Sequence, residues 1–438
     1  LRTDISPTCS PVTGSPGQLS CGTGANGGNG LGAIEKIIYR SAPTILPGIP
    51  GANGWVFTYD NFSRSNLITN LLNPSSTGIT LSATMFASPF SVAGTCTDNS
   101  PQFLQDPYFI SCAGENYEFN LHPVDSDLDS LTVQFGTPMN SLTAGPYNPP
   151  VNPAPIAFEV GFTAQSPTPD ASFNPTNIPA ALNTSSGNLT FTSATIGSYV
   201  VKVVTKSFRQ GHLIAQVERE MQLFVVNCSG NNNRPVIQAP FAGNLFETTV
   251  DAGTLVTFPI QAVDVELLQD GSPQTNYLTA SSLQFGQNFS STTNCLNAPC
   301  ATLVPTPIVS GIQGVNTNFS WQTACNHLAD ATGNLRDLVA YHFVVKVSDN
   351  YCQIPKISYK TITVNVRNAD VIPATQINCI STAANGDVTV TWNPIVNTNN
   401  SFVAYELYSV QNGLEGTFPI GTTSGVITNP NNDRSEER

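Results

Sequence analysis

The amino-acid sequence predicts an all-β protein built from tandem β-sandwich domains. Three observations support this: charged residues make up only 10% of the chain, short alternating apolar stretches recur along it, and one pattern of strands occurs twice. An ordinary soluble protein has about 25% charged residues. Here Ser, Thr, Asn, Gly and Pro take their place, which suits strands with one exposed face joined by many turns.

Short β-branched or aromatic segments with period-two alternation mark the predicted strands. Segments rich in Pro, Gly and Asn, such as 144–155 and 165–179, separate them. This spacing is typical of sandwiches, whereas βαβ units would place helical patterns between strands. The clearest predicted strands are Trp55–Tyr59, Tyr117–Leu121, Leu131–Phe135, Ser198–Val204, Met221–Val226, Tyr341–Val347, Lys360–Val366 and Asp387–Trp392.

An internal repeat sets the predicted domain boundaries, because 438 residues exceed what one hydrophobic core usually organises. The first copy has a strand and acidic turn at Tyr117–Asp127 and closes at Leu223–Cys228. The second has the same features at Val256–Glu266 and Ile362–Val366. The predicted domains are an incomplete sandwich module at 1–99, a sandwich at 100–230, a sandwich with a cysteine-rich insertion at 231–369, and a third type of module with a tail at 370–438.

Charge and cysteine content predict an extracellular protein. The net charge of −13 disfavours nucleic acid and anionic membranes as partners, since both require clustered Lys and Arg. Ten cysteines spread through a Lys-poor chain indicate structural disulfides in an oxidising compartment. No apolar run approaches the roughly 18 residues that cross a bilayer. We therefore expect a secreted chain that does not span the membrane, and that is either processed or a segment of a longer protein.

The cysteine positions suggest several disulfides, although spacing alone does not fix their connectivity. Cys295 and Cys300 could close a tight loop, and Cys112 near a first strand could join Cys228 at a last strand. The other two candidate pairs are Cys325 with Cys352, which flank a predicted strand, and Cys9 with Cys21.

Several segments resemble very large surface proteins that Bacteroidetes export by the type IX secretion system, a group that includes gliding-motility-associated adhesins. The segments are Ala33–Tyr39, Gly54–Arg64, Ile68–Asn70, Asn294–Leu303, Phe319–His327 and Val347–Cys352. This resemblance implies a repetitive cell-surface protein with Ig-like or cadherin-like modules, and it does not imply a catalytic activity.

Residues 370–438 resemble the opening half of a fibronectin type III domain. The predicted strands are Pro373–Cys379, Asp387–Trp392 and Ser401–Ser409. The resemblance places Trp392 and Tyr405 in the core of this partial fibronectin type III-like module.

Calcium is the predicted cofactor of the joints between modules. Asp98–Phe103 is similar to the cadherin linker, and Val124–Asp127 resembles the cadherin Asp-x-Asp element. Alternate carboxylates on an extended segment point to one side, and Ca²⁺ takes six to eight oxygen ligands. The alternative is that these residues form Asx-turns at strand ends. The candidate ligands are Asp98, Asn99, Asp125 and Asp127 at the first joint, and Asp264, Glu266 and Asp349 at the second, beside Asn231, Asn232 and Asn233.

No catalytic residue is predicted, since the chain contains no HExxH, GxSxG or phosphate-loop pattern. The predicted function is that of a non-enzymatic cell-surface adhesin or stalk segment. Its expected partners are other surface proteins, polysaccharide or solid surfaces, with possible self-association. Two alternatives stay open: a polysaccharide-binding accessory region of a secreted enzyme, which an exposed aromatic row would favour, and a self-assembling fibre subunit, which a donated strand would favour.

Overall fold

A computed structural model describes most of the chain as β-strands and turns. It divides into two compact units, Leu1–Val366 and Arg367–Arg438, which are described separately. The described residues are 2–4, 35–93, 98–106, 110–228, 232–329, 333, 335–351, 354–368, 375–394, 404–409, 413–419 and 422–427.

The described residues of the first part of unit 1 form thirteen strands. They are β1 (Arg2–Asp4), β2 (Glu35–Ile37), β3 (Trp55–Phe62), β4 (Gly78–Met85), β5 (Gln102–Phe103), β6 (Ile110–Cys112), β7 (Asn116–Asn120), β8 (Pro123–Val124), β9 (Ser130–Gly136), β10 (Ile178–Leu182), β11 (Asn188–Thr192), β12 (Gly197–Arg209) and β13 (His212–Val226). One large sheet has the order β10-β11-β7, and the other has the order β3-β4-β13-β12-β9 with β6 parallel to β13. Two further pairs, β1-β2 and β5-β8, form separate two-stranded sheets. Apolar side chains of both sheets form one core, with Tyr117, Phe119, Leu189 and Tyr199 almost fully buried. We call this body the first sandwich.

The predicted module at 1–99 does not have a sheet of its own in residues 55–85. β4 pairs antiparallel with β13, where Ala215 lies opposite Met85. This pairing is possible because β13 has 15 residues, and its other end, at Phe224–Val226, is the part that pairs with β6. The hairpin β3–β4 therefore extends the sheet of the first sandwich. The local sequence pattern predicts the strands of this hairpin but does not encode their pairing with the edge of β13. The other domain boundaries stay predictions.

Nine further strands in the described part of the chain form the second sandwich. They are β14 (Val236–Ile237), β15 (Glu247–Asp251), β16 (Leu255–Val263), β17 (Thr275–Ser281), β18 (Thr302–Val304), β19 (Val309–Ile312), β20 (Gly314–Gln322), β21 (Leu338–Ser348) and β22 (Ile357–Arg367). The 3-10 turns of unit 1 are Pro74–Ser76, Gln287–Phe289 and Cys325–Leu328.

The strand order confirms the predicted all-β, tandem β-sandwich fold. In the second sandwich the sheets run β14-β16-β20-β18 and β15-β22-β21-β17-β19. The first corresponds to the ABED sheet of the immunoglobulin fold, and the second contains its CFG sheet. Period-two alternation in β16 and β20 buries every second side chain, which is why Phe258 and Phe319 stack with ring centroids 4.4 Å apart. Trp321 is fully buried and donates from Nε1 to Pro299 O at 2.9 Å.

The two sandwiches contact each other along a broad, partly apolar surface. Val344, Ile357 and Tyr359 of the second sandwich belong to the same buried cluster as the core of the first. Tyr359 meets Phe119 edge-to-face, with ring centroids 5.5 Å apart. Around this contact Asn120 Nδ2 donates to Thr361 Oγ1 at 2.6 Å, Lys360 pairs with Glu118 at 3.2 Å, and Lys356 pairs with Glu115 at 2.5 Å. Apolar burial and buried polar partners together make the modules one packed body.

His122 lies within this contact, and its burial predicts a pH-dependent stability. Its Nδ1 lies 2.7 Å from Ser281 Oγ, and its side chain is 2% exposed. Burial, aided by the charge of His342, lowers the pKa of His122 to about 3. A lowered pKa means that the folded state resists protonation. The stabilisation is therefore present above the ordinary pKa of about 6.5 and is lost as the pH falls from there towards 3.

We expect the free energy of unfolding of the natural protein to fall by about 2 kcal/mol more than that of His122→Asn between pH 7 and pH 5. Asparagine suits this position because the backbone φ of His122 is 47°, in the left-handed region that Asn tolerates. Urea unfolding at both pH values measures the difference. Equal losses in the two proteins would contradict the role of His122.

Two predicted disulfides are confirmed. Cys112 bonds Cys228 and joins β6 to the end of β13, while Cys295 bonds Cys300 within the insertion of the second sandwich. The predicted pairs Cys9–Cys21 and Cys325–Cys352 fall on residues outside those described, except for Cys325, which is exposed. Across the described part of the chain, no helix has the length and apolar character needed to cross a bilayer.

Unit 2 contains two small sheets around an aromatic core. Its strands are β23 (Ile377–Thr382), β24 (Val388–Trp392), β25 (Ala404–Ser409), β26 (Gly413–Pro419) and β27 (Ser424–Ile427), in the orders β23-β24-β27 and β25-β26. Trp392 and Tyr405 are buried, and their rings lie 5.2 Å apart between centroids. These are the two residues that the fibronectin type III resemblance placed in the core.

Candidate cation sites at the two module joints

Four aspartates surround one arginine at the first joint. Asp98 precedes β5, Asp125, Asp127 and Asp129 lie in the turn between β8 and β9, and Arg209 ends β12. Oxygen atoms of Asp98, Asp125 and Asp129 lie within 4.8 Å of one another, and all three side chains are buried. The backbone allows these three carboxylates to approach because Leu128 has a φ of 60°, a left-handed conformation that turns the chain before Asp129.

The guanidinium of Arg209 supplies a fixed positive charge to this cluster. Its Nε and Nη2 donate to the two oxygens of Asp129 at 2.9 and 2.8 Å, and Nη2 also donates to Asp98 Oδ1 at 3.1 Å. Asp127 Oδ2 lies 3.5 Å from the same nitrogen. A bidentate arginine–carboxylate pair is among the stronger hydrogen-bonded contacts in proteins. The close approach of these carboxylates is thus explained by a cation that belongs to the protein.

Backbone and amide donors hold several of the remaining oxygens of the first joint, whereas the buried Asp125 Oδ2 has no hydrogen-bond partner among the described residues. The Asp127 N–H donates to Asp125 Oδ1 at 2.8 Å, so the predicted Asx-turn alternative is realised here. Asn99 donates from its backbone N–H and its Nδ2 to Asp127 at 2.6 and 3.0 Å. Burial raises the pKa of Asp125 to about 7, and burial together with the neighbouring aspartates raises the pKa of Asp98 to about 8. One guanidinium does not balance four carboxylates.

The second joint repeats this frame with different side chains. Asn232 and Asn233 precede β14, Asp264 and Glu266 follow β16, and Asp349 follows β21. Asn233 Nδ2 donates to Glu266 Oε1 at 2.6 Å, and Asn232 Nδ2 donates to Asp349 Oδ2 at 2.8 Å. The Glu266 N–H donates to Asp264 Oδ1 at 3.3 Å, which is the counterpart of the Asx-turn at Asp125.

The carboxylates of the second joint lack a cationic partner. None of the ion pairs formed by the described residues includes Asp264, Glu266 or Asp349. Lys356 donates its backbone N–H to Asp349 Oδ1 at 2.9 Å, but its ammonium group pairs with Glu115. Burial raises the pKa of Asp349 to about 7 and that of Asp264 to about 6. These three acidic side chains do not meet within 4.8 Å as those of the first joint do.

Amide side chains lie among the carboxylates of the second joint. Gln274 donates from Nε2 to Asn232 Oδ1 at 2.7 Å, and the Asn276 amide lies beside Asp264. Both amide side chains are fully buried. Within the described residues, four buried side-chain atoms here have no hydrogen-bond partner: Asp264 Oδ2, Gln274 Oε1, and both Oδ1 and Nδ2 of Asn276. A buried acceptor without a donor is costly, so each requires an explanation.

The structure brings the predicted residues together in two groups, and sequence reasoning missed several of their neighbours. Asp98, Asn99, Asp125 and Asp127 meet at the first joint, and Asp264, Glu266 and Asp349 are linked through Asn232 and Asn233 at the second. Asn231 lies outside the described residues. The missed residues are Asp129, Arg209, Gln274 and Asn276. The residue of the first repeat that enters the acidic cluster is Arg209.

A second surface feature lies on the hairpin β3–β4. Phe57 and Tyr59 are 54% and 44% exposed, and Trp55, on the same strand face, is half-buried. Tyr39 lies beside Tyr59, with ring centroids 6.2 Å apart. The partners of this face on β4 are Leu81, Ala83 and Met85. An exposed aromatic row is therefore present in the first sandwich.

Comparisons with known proteins give the following similarities. No family model and no curated protein matches the chain. A complex of the Dpr2 Ig1-Ig2 domains with DIP-Theta Ig1-Ig3 is 12% identical, covering 62% of this chain and all of that one, with a TM-score of 0.22. Domains 1–6 of the surface layer protein SbsC are 12% identical over 86% of this chain and 48% of that one, with a TM-score of 0.15. The FN1-FN3 domains of chicken CNTN1 are 7% identical over 75% and 87%, with a TM-score of 0.13. These similarities carry no information about function.

Proposed function

We propose that this chain is a non-enzymatic, extracellular structural segment of a surface adhesin, in which paired sandwiches form one stiff body. The observation that carries the proposal is the buried contact between the sandwiches, where Tyr359 enters the core cluster of its neighbour. A segment that holds a binding end away from a cell needs modules that do not hinge freely. Apolar burial at a joint opposes hinging, because opening would expose the apolar surface to water.

An extracellular location is supported by the disulfides. Cys112–Cys228 and Cys295–Cys300 persist in oxidising compartments and are rare in the cytosol. Export by the type IX route and a part in gliding motility rest on the sequence resemblance alone. Antibody labelling of intact, unpermeabilised source cells tests the location, and labelling only after permeabilisation would contradict it.

Tyr359→Leu tests whether the sandwiches behave as one body. We expect it to speed amide hydrogen exchange in β7 of the first sandwich as well as in β22, and to lower the free energy of unfolding by about 1 kcal/mol, because the edge-to-face contact with Phe119 is lost. Val364→Ala is the matched control. Val364 lies in the same strand but packs only in the core of the second sandwich. If both variants leave exchange in β7 unchanged, the coupling between modules is absent.

The aromatic row of β3 favours a second candidate function, contact with polysaccharide. Phe57 and Tyr59 present flat, exposed rings on one strand face, and such rings can stack on the apolar faces of sugars. Pull-down on insoluble polysaccharides distinguishes the candidates. Binding that is lost in Tyr59→Ala and retained in Thr58→Ala, which alters the opposite face of β3, would support this role.

A further inference from the structure

A cleft of about 280 Å³ lies between the two sandwiches of unit 1, beside the first joint. The segment around β8 and the start of β9 form one wall, which includes His122, Asp125 and Leu131. The segment after β17 and the first residues of β21 form the other wall, which includes Gln284 and Leu338. Sites for small molecules occur preferentially at domain interfaces and combine apolar walls with a few placed polar groups. The structural role proposed for the chain makes no use of this cleft.

Three side chains of the cleft walls each have one buried polar atom without a hydrogen-bond partner among the described residues. These atoms are His122 Nε2, Asp125 Oδ2 and Gln284 Oε1, on side chains that are 2%, 5% and 1% exposed. The other polar atoms of these groups are fixed. His122 Nδ1 lies 2.7 Å from Ser281 Oγ, Asp125 Oδ1 accepts a backbone N–H at 2.8 Å, and Gln284 Nε2 donates to Pro299 O at 3.1 Å. Fixed polar atoms without partners are unfavourable, so a ligand that satisfied them would be stabilised.

The unpartnered atoms indicate the hydrogen-bonding groups that a ligand needs. The carboxylate oxygen of Asp125 and the amide oxygen of Gln284 accept hydrogen bonds, so the ligand has to donate to them. Burial lowers the pKa of His122 to about 3, so its ring is neutral and Nε2 accepts or donates according to the tautomer. Hydroxyl groups meet both requirements, because each one donates and accepts.

The charges of the two walls disfavour an ionic ligand. Arg336 lines the cleft, with Nη1 donating to Leu128 O at 2.6 Å, and its positive charge opposes a cation. On the opposite wall Asp125 and Asp129 belong to the first joint, whose four carboxyl groups outnumber the single guanidinium of Arg209 and oppose an anion. An uncharged ligand rich in hydroxyl groups therefore fits the cleft best.

The shape of the cleft favours a sugar over a peptide. An extended peptide typically binds by adding a strand to a free sheet edge. At the β9 end of the sheet beside the cleft, the Val133 N–H already donates to Thr184 O at 2.8 Å. Leu131, Leu296 and Leu338 provide apolar surface for the C–H groups of a sugar ring. The volume is at the small end of the range for ligand pockets, which suits a single ring.

We propose that the cleft between the sandwiches binds one uncharged sugar unit at the end of a glycan, through hydrogen bonds to His122, Asp125 and Gln284. Leu338 is 54% exposed and lies at the rim, so the rest of the glycan would extend into solvent. This site is separate from the aromatic row, because β3 and β9 are at opposite ends of the same sheet order. The packed body would then recognise a glycan in addition to serving as a structural segment.

Saturation-transfer NMR on the full chain tests this site, with glucose, galactose, mannose and N-acetylglucosamine as probes. We expect transfer to at least one of these neutral sugars. The uronic acid and the 2-amino derivative of that sugar should bind more weakly by roughly threefold or more, because each adds a charge that one wall of the cleft opposes. No transfer to any of the four sugars, or tighter binding of the uronic acid, would overturn the proposal.

Variants locate the sugar. Leu338→Trp and Ala340→Phe narrow the cleft from two exposed positions, and each should weaken binding by roughly tenfold or more. Leu335→Trp is the matched control and should change binding by less than about twofold, because Leu335 is 61% exposed and lies outside the cleft lining. Full binding in both narrowed variants, or a loss in Tyr59→Ala that they do not share, would overturn the site. Transfer to a Gly-Ser peptide that Leu338→Trp abolishes would assign the cleft to peptides instead.

Discussion

Replacing Cys112 and Cys228 together by alanine is expected to lower the free energy of unfolding by about 4–5 kcal/mol. The two cysteines are 116 residues apart in sequence, and the stabilisation by a disulfide grows with the loop that it closes in the unfolded chain. Denaturant unfolding of the double variant under otherwise identical conditions measures the loss, which is a large share of the total stability of a typical domain.

The second disulfide provides the control for this prediction. Cys295 and Cys300 are only five residues apart, so the same reasoning predicts a loss of about 2 kcal/mol for their joint replacement. An equal loss for both pairs would contradict the chain-entropy explanation. It would instead indicate that local contacts of the sulfur atoms dominate, such as the approach of Lys356 Nζ to Cys112 Sγ at 2.7 Å.

Removing the positive charge at the first joint is the other large effect that we expect. Arg209→Gln should lower the free energy of unfolding by about 3–5 kcal/mol, because buried Asp98 and Asp129 would lose their counter-charge. Chemical denaturation at pH 7 in EGTA measures this loss. Arg209 is only 4% exposed, so solvent screens these contacts little.

Two further variants make the result interpretable. Arg209→Lys retains the charge but cannot form the bidentate contact with Asp129, so we expect an intermediate loss. Arg40→Gln removes an exposed arginine and should change stability by less than about 0.5 kcal/mol. A loss for Arg209→Gln as small as that for Arg40→Gln would show that the guanidinium does not stabilise the cluster.

The strands were predictable because their information is local. Alternation in segments such as Tyr341–Val347 records which face is buried, and the structure places strands at every segment that the pattern marked most clearly. The edge pairing of β4 with β13 was not predictable, since it depends on contacts more than 100 residues apart along the chain. The alternation that marks Tyr359 as buried likewise does not say that it is buried against another module.

The candidate site divides in the same way. The Asp-x-Asp pattern and the residues before each module pointed to the acidic frame, because turns and strand ends are encoded nearby. Asp129 joins the cluster only because of the left-handed turn at Leu128, which the motif does not indicate. Arg209 comes from a strand end 80 residues further along the chain. Gln274 and Asn276 gave no signal, because amides are abundant throughout this sequence. The presence of the Arg209 guanidinium at the first joint is therefore a property of the fold, and the sequence motif of that joint does not show it.

The bond between Cys112 and Cys228 also determines how the chain would transmit a pulling force. Tension applied at the two ends of the chain follows the shortest covalent path, which crosses directly from residue 112 to residue 228. The 115 residues between them would carry no load, and about 400 Å of extended chain would stay unavailable for stretching. Most of the first sandwich is thus shielded from mechanical unfolding by one covalent bond.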